Sequence, residues 1–211
     1  AGFGNIVVNK SDDDNPARIS DDTIVAGSIS VNNGTLFLHS TPTLQVGNEL
    51  IVNSGARLLT SIMSSGNVTI TKFGTGNYTL SIESGGILDA TDTIFEYMDS
   101  DGVNVNPGAI IDDLTDCTFS DGVSGGTLLT IDNDQTLTLD ALSFYAGSRD
   151  ATYNVTKNVD IGEVIFTNSG GTFDGPDHEI DPNNLLSWPE FYAPLVTTDT
   201  ITNISETEAT C

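Results

Sequence analysis

The chain has 211 residues, with 6 Lys+Arg against 30 Asp+Glu and a net charge of −24. So few cations exclude a nucleic-acid partner, whose phosphates must be met by Lys and Arg, and they oppose insertion into or adhesion to an anionic membrane. Two cysteines, Cys117 and Cys211, make neither a disulfide framework nor a metal cluster, and no run approaches the roughly 18 apolar residues of a membrane span.

Residues 1–20 open with a β-type segment, Asn5-Ile6-Val7-Val8-Asn9, followed by the acidic run Asp12-Asp13-Asp14, which reads as a solvated loop. From residue 22 to 166 short segments rich in Thr, Val, Ile and Leu alternate with Gly, Asn, Asp and Ser. This is the signature of strands broken by tight corners, and no long segment carries a helical apolar period. Two copies of one pattern stand out. Leu80-Ser81-Ile82, Glu83-Ser84-Gly85 and Ile87-Leu88 lead to Phe95; Val103-Asn104-Val105, Asn106-Pro107-Gly108 and Ile110-Ile111 lead to Phe119. Looser copies place corners at Gly34, Gly55 and, with Asp in the glycine position, Asp134. The corners step by 21, 30, 23 and 26 residues, and the series Phe73, Phe95, Phe119, Phe144, Phe166 steps by 22, 24, 25 and 22.

Two markers sharing one period of roughly 20–30 residues signal a solenoid. The expected fold is all-β: a right-handed parallel β-helix of about seven turns stacked at about 4.8 Å, with Val, Ile, Leu and the Phe series inside. Long intervals leave room for bulged loops at Ser64-Ser65-Gly66 or Gly74-Thr75-Gly76 and at Asp121–Gly126, and such insertions tend to lie on the binding face. Residues 172–193 change character, with several prolines and the only Trp, and read as a C-terminal cap over the open end of the coil. Residues 1–193 are thus assigned to the β-helix with its caps. Residues 194–211 return to β-type sequence in Leu195-Val196-Thr197-Thr198 and Ile201-Thr202-Asn203-Ile204, which is too little to fold alone.

The corner repeats resemble those of right-handed parallel β-helix proteins. Ile165–Phe173 followed by Asp181-Pro182-Asn183-Asn184-Leu185-Leu186-Ser187-Trp188 looks like the closing turns of β-helix regions in very large secreted surface proteins of the Bacteroidota. The tail from Pro194 resembles the first strands of the immunoglobulin-like or fibronectin-type repeats that follow such regions. The resemblance implies an extracellular, cell-surface adhesin or stalk. The tail is then the start of a following β-sandwich or a strand donated to a neighbouring copy in a filament.

Parallel β-helices also host polysaccharide lyases and hydrolases, so catalysis is weighed. The basic residues Lys10, Arg18, Arg57, Lys72, Arg149 and Lys157 share no phase in the repeat. Asp89, Asp112, Asp113, Asp116 and Asp140 follow the second strand and form a stripe that reads as a solvated face before it reads as a catalytic pair. His39 and His178 lack ligand spacing. The candidate metal ligands, for calcium, are Asp99, Asp101 and Asn104 in one cluster and Asp174, Asp177 and Asp181, beside Glu179, in another. The first departs from the EF-hand pattern, because Gly102 comes early and Ile110 stands where a bidentate Glu belongs. The expected role is a non-catalytic structural or adhesive module, with glycans or further copies of itself as partners and calcium as the only cofactor. A carbohydrate-active enzyme is the runner-up.

Overall fold

The computed structural model describes residues 2–10, 15–61, 66–147 and 151–189. The chain winds as a parallel β-solenoid with three strand positions per coil. The first coil holds β1 (Ile6–Asn9), β2 (Ala17–Ile19) and β3 (Thr23–Val25); the second holds β4 (Ile29–His39) and β5 (Thr43–Val46). Coils three and four hold β6 (Glu49–Val52), β7 (Ala56–Ser61), β8 (Val68–Lys72), then β9 (Tyr78–Ile82), β10 (Ile87–Thr91) and β11 (Thr93–Glu96). Coils five and six hold β12 (Met98–Val105), β13 (Ile110–Thr115), β14 (Thr118–Ser120), then β15 (Thr127–Ile131), β16 (Leu137–Asp140) and β17 (Ser143–Tyr145). β18 (Tyr153–Thr156) and β19 (Val164–Thr167) belong to the seventh, and β20 (Leu186–Ser187) stacks on β19 as the start of a last partial coil. One turn of 3-10 helix at Pro176–His178 is the only named helical element among the described residues.

Three faces result. One runs β1-β4-β6-β9-β12-β15-β18; the second runs β2-β4-β7-β10-β13; the third runs β3-β5-β8-β11-β14-β17. Every strand pair is parallel, as a solenoid of one-way coils requires. On the first face the inward columns are Ile6-Ile29-Leu50-Leu80-Val103-Leu129-Val155 and Val8-Val31-Val52-Ile82-Val105-Ile131. The second column steps by the same 21, 30, 23 and 26 residues as the corners, so corner and core share one register.

Gly55, Gly85 and Gly108 stack at successive corners. Gly55 N donates to Gly85 O and Gly85 N to Gly108 O, both at 2.8 Å, with φ of 76°, 77° and 78°. That left-handed backbone favours glycine. Two other expected corners differ. Gly34 has φ 73° but pairs with Ala56, because β4 continues through the corner without a break. Asp134 does not take the left-handed backbone. Here the second face is interrupted between β13 and β16, and the Gln135 side chain fills the gap. Its Oε1 accepts from Ile111 N at 2.7 Å and its Nε2 donates to Ile111 O at 3.1 Å, copying the pairing of a peptide group.

The aromatic series is also sharpened. Phe95, Phe119 and Phe144 stack in register, with centroids 5.3 and 5.4 Å apart. Phe73 is 39% exposed, and Ile70 holds its place beneath Phe95. Phe166 lies on β19, paired with Leu139 rather than with the Phe column, and meets Phe144 edge-on. The cap is aromatic as well. Trp188 is fully buried, stacks on Phe166 at 4.1 Å, and donates its indole N–H to Glu179 Oε2 at 2.6 Å. The stretch 194–211, with its expected sandwich or donor strand, lies outside the described residues, as does Arg149.

Candidate functional site

Strand alternation turns every second residue of the first face outward. On β12, β15 and β18 those residues are Asn104, Thr130 and Thr156, paired rung to rung. Two residues further along lie Asn106, Asp132 and Asn158. Asp132 N donates to Val105 O, and Asn158 N donates to Asp132 Oδ1 at 2.7 Å. Two polar lanes therefore run along the solenoid axis. They floor a groove of about 330 Å3 that is also lined by Ser100-Asp101 of β12, Gly125-Gly126 and Tyr153, Gly126 lying against Ser100. The volume falls at the small end of the range for ligand sites, roughly 300–1,000 Å3.

This edge of the groove arises from insertions. β12 is eight residues long, and its register against β9 breaks between Met98 and Val103, pushing Asp99–Gly102 out as a bulge. Gly102 is needed here: its φ is 65°, and a Cβ would lie 2.3 Å from the Leu128 backbone. The expected loop 121–126 stacks on this bulge, with Gly126 against Ser100, and is tied to the next coil where Gly125 N donates to Thr152 Oγ1 at 2.9 Å.

The floor is partly satisfied by its own bonds. Thr130 Oγ1 donates to Asp101 O at 2.8 Å, and Asn106 Nδ2 donates to Ser81 Oγ at 2.8 Å. Asn158 Nδ2 donates to Asp132 Oδ2 at 3.1 Å. Thr156 Oγ1 is buried with no hydrogen-bond partner. Such a group is costly unless a partner arrives.

The predicted calcium ligands divide. Asp101 and Asn104 line the groove. Asp99 turns to its own loop, accepting from Asp101 N at 3.1 Å and from Thr79 Oγ1 at 2.6 Å. Asp181 is spent as a cap: Leu186 N donates to its Oδ2 at 2.7 Å and Asn183 N to its Oδ1 at 3.3 Å. Asp174 is half-buried and Asp177 exposed, the latter within the 3-10 turn. Among the described residues no set of three or more His, Cys, Asp or Glu side chains is arranged around a common metal position.

The acidic stripe on the second face is organised by Arg57. Its Nη1 donates to Asp89 Oδ2 on the adjacent coil and, across that coil, to Asp112 Oδ2 at 2.7 Å. The two carboxylates come together because Asp112 is a bulge residue: Leu88 pairs with Ile111, but Asp89 pairs with Asp113. Burial pushes the Asp89 carboxyl above its ordinary range, and the guanidinium opposes that shift. His39 packs on Phe37 and contacts Ser40; His178 packs on Phe173. Cys117 is buried, and its thiol is pushed up to about 12 by desolvation.

Thr130, Asp132, Tyr153, Thr156 and Asn158 escaped the sequence reading. A signal was present: the lanes 104-130-156 and 106-132-158 both step by 26 residues. Comparison with known protein families, characterised proteins and solved structures finds no match to this chain.

Proposed function

We propose that the chain is a non-catalytic structural and adhesive module of an extracellular surface protein, a rigid spacer that binds glycan in the groove on its first face. The observation that carries this reading is the pair of polar lanes, in register over three coils and rimmed by a tyrosine. Hydroxyl- and amide-rich surfaces with one aromatic suit sugars, which present many hydroxyls around an apolar ring face. The rod supports the mechanical half of the reading: its core runs unbroken from Val8 to Trp188. The strong negative charge keeps such a rod soluble and suits a calcium-rich medium. Titrating the chain with a panel of polysaccharides, with and without calcium, should give saturable binding without release of shortened products. Efficient turnover of any polysaccharide overturns the reading and promotes the runner-up enzyme, for which Asp89 and Asp112 beside Arg57 are the carboxylate pair to replace.

A second reading, strand donation between copies, is favoured by the opposite end of the rod. There β1 and β2 each pair on one side only, beside an apolar cleft of about 300 Å3, while Phe3 covers the outer edge of β3; Phe3 and Val7 are 57% and 64% exposed. Removing residues 195–211 should abolish concentration-dependent assembly if this holds; assembly that survives the deletion excludes it.

A further inference from the structure

Resting on the glycan reading above, we infer that the groove takes a neutral, extended oligosaccharide lying parallel to the solenoid axis, with successive sugars registered on successive coils. Orientation follows from the lanes. Asn104, Thr130 and Thr156 pair rung to rung, and Asn106, Asp132 and Asn158 follow two residues further along, with Asn158 N held by the Asp132 side chain. Three coils at about 4.8 Å per step give a floor about 10 Å long from first rung to last. A chain lying across the axis would meet a single rung, whereas a chain lying along it meets a further polar pair at every step: Asn104 with Asn106, Thr130 with Asp132, then Thr156 with Asn158. An extended glycan repeats at a rise close to that step, so each ring meets one polar pair.

Charge decides the class of sugar. Asp101 and Asp132 line the groove, and no basic side chain lines it among the described residues. The whole chain adds a net charge of −24. A uronate or sulfated sugar would set an anion against these carboxylates with no cation to receive it. A neutral sugar instead offers hydroxyl donors, and carboxylates accept strongly from them. Tyr153 lines the groove, and an aromatic ring suits the apolar side of a sugar.

The test is a length and charge series followed by calorimetry and NMR: β-1,4-linked gluco-oligosaccharides of one to six units, against galacturonate oligomers of matched length at low salt. Affinity for the neutral series should climb with each unit up to about three or four, then level off, because about 10 Å of floor holds no more. Asn158→Ala, an exposed position that leaves the core intact, should weaken the longer oligomers about fivefold, the worth of one hydrogen bond, and leave the monosaccharide less affected. A spin label on the reducing end should broaden signals near one end of the lanes only. Binding of galacturonate oligomers in preference to the neutral series overturns the charge argument while leaving glycan adhesion standing. Affinity that ignores length, or that survives both Asn158→Ala and Tyr153→Ala, overturns the axial site. Failure of every glycan to bind removes the inference together with the function it rests on.

Discussion

Lys157 occupies a place that the core reserves for Val or Ile. It follows Ile131 in the inward column and is fully buried. The cause lies in the ladder beneath it. Asn158 N bonds Asp132 Oδ1, so the carbonyl of Ile131 is left without a ladder partner. The Lys157 ammonium supplies one, donating to Ile131 O at 3.3 Å and to Asn133 O at 3.1 Å. Desolvation lowers its pKa, against the pull of Asp132, Asp181 and Asp134. Lys157→Met keeps the volume but strands two carbonyls, and should cost about 1–3 kcal/mol in urea unfolding near neutral pH. The sign with pH is definite. A base whose pKa is lower folded than unfolded holds fewer protons in the native state, so wild-type stability gains as pH rises from the folded pKa toward 10.5. The variant should lose that part of the slope. Gln135 is the companion device, a side chain standing in for a strand, and Gln135→Ala should loosen hydrogen-exchange protection at Ile111 before that at Leu88.

At the scale of elements, the phenylalanine column and the cap behave as one aromatic stack. Phe119 touches Phe95 and Phe144 face to face, while Trp188 seals Phe166. Phe119→Ala should therefore cost about 3–5 kcal/mol, as deep aromatic truncations do, whereas Phe73→Ala, at an exposed position, should stay within about 0.5 kcal/mol. Denaturant midpoints of the two variants check the contrast. The cap also carries a titrating group. Burial raises the Glu179 pKa above 4.5, outweighing the bond from Trp188. An acid with a raised folded pKa burdens the native state above that pKa, and the burden disappears as pH falls through it to the unfolded value. Glu179→Gln should raise the melting temperature at pH 7, and the advantage should shrink to nothing as the pH is lowered to about 4.

For the whole molecule, self-repulsion is the dominant long-range force. With 30 acids against 6 Lys+Arg, carboxylates outnumber cations five to one, and most have no cation to neutralise them. Raising sodium chloride from 10 mM to 500 mM shortens the screening length from about 30 Å to a few ångström, so the melting temperature should rise. A fall on adding salt would show that attractive pairs outweigh repulsion.

Coil period, corner glycines and the inward columns were legible in the sequence because each is local. In-out alternation repeats every two residues, a corner needs glycine at one position, and equal spacing of both reveals the period. Gly85, Gly108 and the Phe95-Phe119 stack followed directly. What stood outside local sequence was register. Parallel pairing joins residues a full coil apart, so a loop of uncertain length decides whether Phe73 or Ile70 supports Phe95, and the fold chose Ile70. The same reason hid the groove. Asn104, Thr130 and Thr156 are unremarkable polar residues until stacking sets them about 4.8 Å apart, and Asp99 through Asp101 looked like a metal loop until β12 bulged it into a rim. The sequence alone determined that this protein is a stacked β coil with an apolar interior. Only the tertiary structure decided which of its polar residues share a surface, because that depends on how far each coil travels before it meets the last.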